Sequence, residues 1–96
     1  MAKGYWITFY RSIKDPSVLA EYAKVATPAI QAGGGKFIVR GIPAKTYESG
    51  LKERAVVIEF ESVEKAMSTL EGPAYQAAAK LLVGHAERDI RVVEGL

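Results

Sequence analysis

The sequence predicts an α+β fold in which two helices lie on one face of a four-stranded antiparallel sheet. Strand-like and helix-like segments follow one another in the order β-α-β-β-α-β. The two middle strands are joined locally, which favours an antiparallel pair, and each helix joins strands that can lie parallel through a right-handed crossover. With 96 residues the chain is near the usual size of one domain. We therefore expect residues 1–96 to form a single domain.

A strand and a long helix are expected in the first third of the chain. Residues Gly4 to Arg11 are dominated by aromatic and β-branched side chains, which favour a strand. Asp15 before Pro16 is the pattern of a helix N-cap followed by proline at the first helical position. Pro28 should kink that helix or end its regular part. One helical face is predicted to carry the apolar residues Leu19, Tyr22, Ala23, Ala26 and Ile30.

Three consecutive glycines, Gly33 to Gly35, separate this helix from the next predicted strand, Lys36 to Gly41. A glycine run could cradle a phosphate, but a phosphate loop leads from a strand into a helix and presents the helix N-terminus to the anion. Here the glycines lead from a helix into a strand. Termination of the helix in the left-handed region is therefore the preferred interpretation.

The second half of the chain predicts two more strands and an interrupted helix. Residues Arg54 to Glu61 alternate as a strand does, and Glu87 to Gly95 supplies the last strand. Ser62 is a suitable N-cap for the helix between them, and Gly72 with Pro73 should break it. The resulting order is that of the ferredoxin-like fold. The two helical segments carry apolar stripes formed by Val63, Ala66, Met67 and Leu70, and by Tyr75, Ala78, Ala79 and Leu82.

Both faces of the predicted sheet are rich in apolar side chains, although the helices cover only one. The first strand alternates between two such sets, Tyr5, Ile7 and Phe9 against Trp6, Thr8 and Tyr10. We assign to the uncovered face the set Trp6, Tyr10, Ile38 and Val57. Tryptophan and tyrosine are frequent in interfaces, and a face of this kind is too apolar to stay exposed. We therefore expect a homodimer in which two sheets pack face to face.

Five segments, spread in order over nearly the whole chain, carry a family resemblance. They are Lys3 to Ile7, Gly34 to Gly41, Arg54 to Phe60, Pro73 to Gln76 and Val92 to Gly95. Together they resemble the bacterial family named domain of unknown function 1330 (DUF1330). The resemblance implies the dimeric α/β-barrel superfamily, whose ferredoxin-like subunits pair sheet to sheet. It implies no established activity.

Two places in the second helix depart from the pattern of that family. Thr69 to Tyr75 stands where relatives usually carry aromatic residues before a Ser-Pro-Glu-Tyr-like stretch. Leu82 replaces an arginine that is common shortly after the Tyr-Gln pair. If these positions line a ligand pocket in relatives, the pocket of this chain is more apolar or takes a different ligand.

Composition excludes several classes of function. The chain has no cysteine, which excludes disulfides, a thiolate nucleophile and cysteine-bearing metal sites. Its 13 basic and 11 acidic residues give a net charge of +2 and are not clustered, so we expect no nucleic-acid partner. No apolar run approaches the roughly 20 residues of a membrane helix, and the N-terminus lacks a secretory pattern. We expect a cytoplasmic protein without membrane contact, cofactor or metal.

Five residues are candidates for a ligand site in the cleft between sheet and helices: Trp6, Tyr22, Arg40, Tyr75 and His85. His85 is the candidate for proton transfer because it is the only imidazole, although its place at a helix end also suits a structural role. Arg40 could capture a carboxylate, but we prefer a buried ion pair with Glu59 at the dimer interface. Tyr22 and Tyr75 lie on apolar helix stripes, which favours core positions whose hydroxyls reach a partner.

Two functions from different classes fit this pattern. The first is a small homodimeric protein that binds a small organic ligand or serves interaction without catalysis, which the absence of a convergent acid, base, metal or cofactor motif favours. The second is a cofactor-independent enzyme, such as an isomerase, monooxygenase or hydrolase, acting on a small aromatic or carboxylic substrate. Only the superfamily resemblance supports the second. A pocket of a few hundred Å³ lined by His85, Tyr75 or Arg40 would favour the enzyme.

Overall fold

The sheet has the strand order β2-β3-β1-β4, and every neighbouring pair in it is antiparallel. The structure is a computed structural model and describes residues 2–96. Its elements are β1 (Gly4–Ile13), α1 (Pro16–Ala32), β2 (Lys36–Gly41), β3 (Ala55–Phe60), α2 (Val63–Glu71), α3 (Pro73–Ala79), a short 3-10 helix (Lys80–Leu82) and β4 (Ala86–Glu94). The predicted α+β, ferredoxin-like fold is confirmed. Within residues 2–96, no helix combines the length and apolar character needed to cross a membrane.

Local capping explains where the helices begin. The Asp15 carboxylate accepts a hydrogen bond from the Ser17 backbone N–H at 3.0 Å, immediately before α1. The Ser62 hydroxyl accepts one from the Lys65 backbone N–H at 3.1 Å, at the start of α2. Each bond satisfies a donor that the first turn of a helix leaves without an intrahelical partner. Both caps were predicted from sequence.

Glycines mark the ends of α1 and α2, whereas Pro28 does not end α1. Gly34 adopts φ +94°, in the left-handed region, and directly follows Gly33, the C-cap residue of α1. The interpretation of the glycine run as a helix terminator is therefore confirmed. Gly72 separates α2 from α3 as predicted. Pro28 does not end the helix, because α1 continues past it to Ala32.

The core lies between the sheet and the helices and is built on aromatic contacts. Trp6 is 1% exposed, packs parallel to Phe60 with ring centroids 6.3 Å apart, and meets the ring of Tyr75 edge-on at 4.6 Å. Its indole N–H donates to the hydroxyl of Thr8 at 2.9 Å, which satisfies the buried polar atom of the ring. Ile58, on β3, is also buried among these side chains.

The expectation that Trp6 and Tyr10 lie on the uncovered face of the sheet is wrong. The register pairs Trp6 with Ile58 and Ile7 with Val57, and directly paired residues point to the same face. Trp6 therefore faces the helices, whereas Val57 lies on the opposite face. Both alternating sets of β1 are apolar, so alternation alone could not decide between them. The uncovered face carries charged residues, among them Glu59, Asp89 and Arg91, and the apolar or aromatic residues Tyr5, Ile7, Phe9, Val39, Val57 and Val93.

A β-bulge in β2 changes the expected positions of its side chains. Phe37 pairs with Ile58, but Val39 pairs with Val57, so the register shifts between them and Ile38 lies exposed at the irregularity. Regular alternation would have kept Phe37 and Val39 on one face. Arg40 instead shares the helix side with Phe37, and its guanidinium lies 4.6 Å from the centroid of that ring.

The preferred ion pair between Arg40 and Glu59 does not form within the chain. Glu59 pairs with Tyr5 across the ladder and therefore lies on the uncovered face, opposite to Arg40. Its carboxylate accepts a hydrogen bond from the Tyr5 hydroxyl at 3.2 Å and lies 3.5 Å from the ammonium of Lys3. The bulge in β2 is the reason that sequence alternation misplaced Arg40.

Candidate functional site

Three of the five predicted site residues meet between the sheet and the helices. Trp6 comes from β1, Tyr22 from the buried stripe of α1, and Tyr75 from the first turn of α3. The hydroxyl oxygens of Tyr22 and Tyr75 lie 2.6 Å apart and share a hydrogen bond. The sequence therefore placed both tyrosines correctly on core-facing stripes and anticipated that each hydroxyl would reach a partner.

Arg88 of β4 joins these tyrosines and was not among the predicted site residues. Its Nη1 group donates to the hydroxyl oxygen of Tyr75 at 2.7 Å and to that of Tyr22 at 3.2 Å. Its guanidinium carbon lies 5.3 Å from the ring centroid of Tyr22 and 6.0 Å from that of Tyr10. We refer to Tyr10, Tyr22, Tyr75 and Arg88 as the tyrosine–arginine cluster.

A pattern in the sequence could have revealed Arg88. Ile90 and Val92 of the last strand are apolar and pair with Thr8 and Trp6 on the helix side of the sheet. Because strand side chains alternate, the position two residues before Ile90 must face the same side. Arg88 was therefore predictable as an arginine pointing toward the core.

The charge of Arg88 is met by phenol oxygens rather than by a carboxylate. Within residues 2–96, no acidic oxygen lies within 4.0 Å of its guanidinium, although four other ion pairs form. Burial disfavours the charged form, but the neighbouring oxygens of Tyr75 and Tyr22 outweigh it and raise the pKa of Arg88. The guanidinium therefore stays charged in a partly buried place.

The pKa values of Tyr10 and Tyr22 are raised, so both hydroxyls stay protonated at neutral pH. Burial is the largest cause that raises the pKa of Tyr22, and its contact with Tyr75 adds to it. Burial also raises the pKa of Tyr10, while the positive charges of Arg88 and Arg54 oppose that effect. Arg88 within the cluster and Arg54 beside it thus place two positive charges near the Tyr10 hydroxyl.

Part of the guanidinium of Arg88 remains available to a ligand. Its hydrogen bonds to Tyr22 and Tyr75 both use Nη1, and the Tyr10 hydroxyl lies close to the same guanidinium. Within residues 2–96 no buried side-chain nitrogen or oxygen is left without a partner. Nε and Nη2 are therefore not fully buried and keep some contact with solvent, on the side of the cluster that we call its mouth.

The structure does not bring Arg40 or His85 to this cluster. Arg40 is exposed on the edge strand β2, over the ring of Phe37. His85 is exposed in the turn before β4, where its backbone carbonyl accepts a hydrogen bond from the Lys14 N–H at 2.8 Å. Neither residue therefore contributes to a common site with Trp6, Tyr22 and Tyr75.

A cleft of about 600 Å³ lies under the loop between β2 and β3, and of the tyrosine–arginine cluster only Tyr10 lines it. Phe9, Arg11 and Asp89 line it from the sheet, and Pro43 and Leu51 line it from the loop. None of the five predicted site residues contributes to its wall. A pocket lined by Arg40, Tyr75 or His85 was expected to favour the enzymatic alternative. This cleft is lined by none of them and therefore does not support that alternative.

Comparison with known proteins assigns the family. The model of the family described as domain of unknown function (DUF1330) matches residues 3–96. The chain belongs to the DUF1330 family. The resemblance inferred from the five sequence segments is thereby confirmed. No curated protein matches the sequence.

Several solved structures share the fold of this DUF1330 protein. A protein of unknown function from Rhodopseudomonas palustris superposes with a TM-score of 0.71 at 16% identity, covering 99% of this chain and 83% of its own. A dimeric ferredoxin-like protein of unknown function from Thermobifida fusca gives 0.67 at 14% identity, covering 96% and 90%. A dimeric protein of ferredoxin-like fold from Bacteroides fragilis gives 0.54 at 16% identity, covering 97% and 95%. At these identities the likeness shows the fold alone.

Proposed function

We propose that this DUF1330 protein is a homodimer that binds a small organic ligand at the mouth of the tyrosine–arginine cluster. The observation that carries the proposal is the state of Arg88, a partly buried cation that has no carboxylate partner among residues 2–96 and keeps Nε and Nη2 in contact with solvent. An acceptor group of a ligand would form charge-assisted hydrogen bonds with these donors.

The ligand part of the proposal is tested by a search for compounds that stabilise the protein. A ligand at 100 times its dissociation constant adds roughly 2.7 kcal/mol of stability, which raises the melting temperature of a domain of this size by several degrees. Small neutral and acidic aromatic compounds form the panel. Trp6 is the single tryptophan and touches Tyr75, so its fluorescence reports on the same site.

Backbone NMR then shows where a stabilising compound binds. We expect the largest chemical-shift changes around Tyr22, Tyr75 and Arg88, and unchanged stabilisation in Arg40→Ala and His85→Ala. Absence of any stabilising compound would contradict the proposal. So would a compound whose chemical-shift changes centre on the loop that covers the 600 Å³ cleft.

The homodimer part of the proposal rests on the uncovered face of the sheet. Phe9 and Val93 are 47% and 46% exposed there, beside Ile7 and Val57 on the same face. A sheet face that stays in water is expected to be largely polar, whereas this face carries these apolar side chains beside the charged Glu59, Asp89 and Arg91. Two of the structures with this fold are described as dimeric. A second copy that packs on this face would bury these side chains.

Light scattering tests this assembly. We expect the wild type to have the mass of a dimer at micromolar concentration, and Val57→Lys to reduce it to that of a monomer. Val25→Lys is the matched control, because Val25 is also apolar and exposed but lies on α1. A wild type that is monomeric at micromolar concentration would refute the homodimer.

The enzymatic alternative has less support from the geometry. His85, the candidate for proton transfer, is exposed and away from the cluster. Burial holds the pKa of Tyr22 above its usual value, so that hydroxyl is a poor base at neutral pH. A binding function requires neither group to transfer a proton.

A further inference from the structure

We infer that the ligand of the tyrosine–arginine cluster is a small organic acid whose carboxylate is bound by Nε and Nη2 of Arg88. The inference rests on the proposed ligand site and adds the chemical class of the ligand. It concerns the Nε–Nη2 edge of the guanidinium, for which the structure shows no acidic partner among residues 2–96.

The orientation of Arg88 determines which edge is free. Tyr22 and Tyr75 both accept from Nη1, at 3.2 Å and 2.7 Å, and this holds the planar group in one position. The opposite edge presents the Nε and Nη2 donors side by side. Two parallel donors at that spacing match the two oxygens of a carboxylate.

Arg91, three residues further along β4, shows the same edge in use. Its Nε donates to one carboxylate oxygen of Asp89 at 3.1 Å, and its Nη2 donates to the other at 2.8 Å. This pair lies on the uncovered face of the sheet and is complete within the chain. Arg88, on the helix side, has an equivalent edge without an acidic partner among residues 2–96.

The surroundings of Arg88 favour an anion. Within residues 2–96, neither Arg88 nor Arg54 has a carboxylate within 4.0 Å, and the charges of both act on the Tyr10 hydroxyl. The rings of Tyr10 and Tyr22 lie beside the guanidinium and are only 3% and 9% exposed, so they keep water away from that side of it. Shielding from water strengthens the attraction between the guanidinium and an anion.

Matched pairs of compounds test the inference on the wild-type protein. Benzoate, phenylacetate and cyclohexanecarboxylate are each compared with the corresponding primary amide, which has nearly the same shape and no charge. We expect each acid to bind at least about tenfold more tightly than its amide, as expected for a charge-assisted bond. Inorganic phosphate is the third arm and should bind more weakly than the acids because it lacks the organic body.

Two variants test whether binding of the acids depends on the two parallel donors of Arg88. Arg88→Lys keeps the charge but removes the two parallel donors, and we expect it to weaken binding of the acids at least about tenfold. Arg91→Lys is the control and should leave the dissociation constants within twofold. If circular dichroism shows that Arg88→Lys does not fold, NMR of the wild type tests the same point through the arginine Nε–H resonances. The acids should then shift the resonance of Arg88 and leave that of Arg91 unchanged.

The possible outcomes separate this inference from the proposed function. Amides that bind as tightly as the acids, or an acid that leaves the Arg88 Nε–H resonance unchanged, would overturn the inference and leave a ligand site in place. Phosphate that binds as tightly as the acids would overturn the organic part of it. If no acid or amide binds the wild type, both the inference and the ligand site are refuted.

Discussion

Removal of one hydroxyl from the core tests how much the tyrosine–arginine cluster stabilises the protein. In Tyr75→Phe the ring remains and keeps its edge contact with Trp6 at 4.6 Å, so packing is preserved. The variant loses an acceptor for Arg88 at 2.7 Å and a partner for the Tyr22 hydroxyl at 2.6 Å. A bond to a charged group contributes about 1.5–3 kcal/mol and a neutral one about 1 kcal/mol. Arg88 keeps its longer bond to Tyr22, so we expect a loss of about 2–3 kcal/mol.

The loss is measured by urea and thermal unfolding at one fixed protein concentration, because association affects the stability of a dimer. For a domain of this size it corresponds to a decrease of about 10–20 °C in melting temperature. The control is Tyr47→Phe, since Tyr47 is 71% exposed, and it should change stability by less than about 0.5 kcal/mol. In a double-mutant cycle, Tyr22→Phe and Tyr75→Phe should couple by about 0.5–3 kcal/mol. A loss below about 0.5 kcal/mol for Tyr75→Phe, or strictly additive single variants, would refute the reasoning.

Three further predictions concern the core and its titration. Thr8→Val leaves the buried N–H of Trp6 without its acceptor at 2.9 Å, and chemical denaturation should show a loss of about 1–3 kcal/mol that Thr8→Ser largely avoids. Gly4→Ala would place a methyl group 2.5 Å from the backbone of the loop before α2, so we expect a loss above about 1 kcal/mol, whereas Gly41→Ala has open space and should be near neutral in the same assay. Burial raises the pKa of Tyr22, so the folded state keeps a proton that unfolded tyrosine releases near pH ~10. The free energy of unfolding should therefore be highest below that pH and decrease above it. Unfolding curves from pH 9 to 11 should show that Tyr22→Phe makes this decrease smaller, by up to about 1.4 kcal/mol per pH unit.

The candidate site was partly predictable from sequence. Tyr22 and Tyr75 lie on helical stripes whose spacing points them to the core, and the structure brings their hydroxyls together. Arg88 follows from the alternation of the last strand and could have been found in the same way. Arg40 was misplaced because a β-bulge shifts the register of β2, and nothing local in Lys36 to Gly41 indicates that bulge.

Local signals in the sequence predict the order of the elements, the starts of the helices and the break between α2 and α3. Asp15 with Pro16, Ser62, and Gly72 before Pro73 act within one turn of the backbone, so caps and breaks can be read without knowledge of the fold. The order of the elements then restricts the topology to very few arrangements.

The buried face of β1 and the positions of its charged neighbours depend on how the strands pair in the folded protein. Both alternating sets of that strand are apolar, so the decision depends on the register with β3, which pairs Trp6 with Ile58. Register is set by contacts between residues far apart in the chain, and a shift of one position moves every side chain to the other face. For the same reason, the meeting of Arg88 with Tyr22 and Tyr75 is a property of the folded protein.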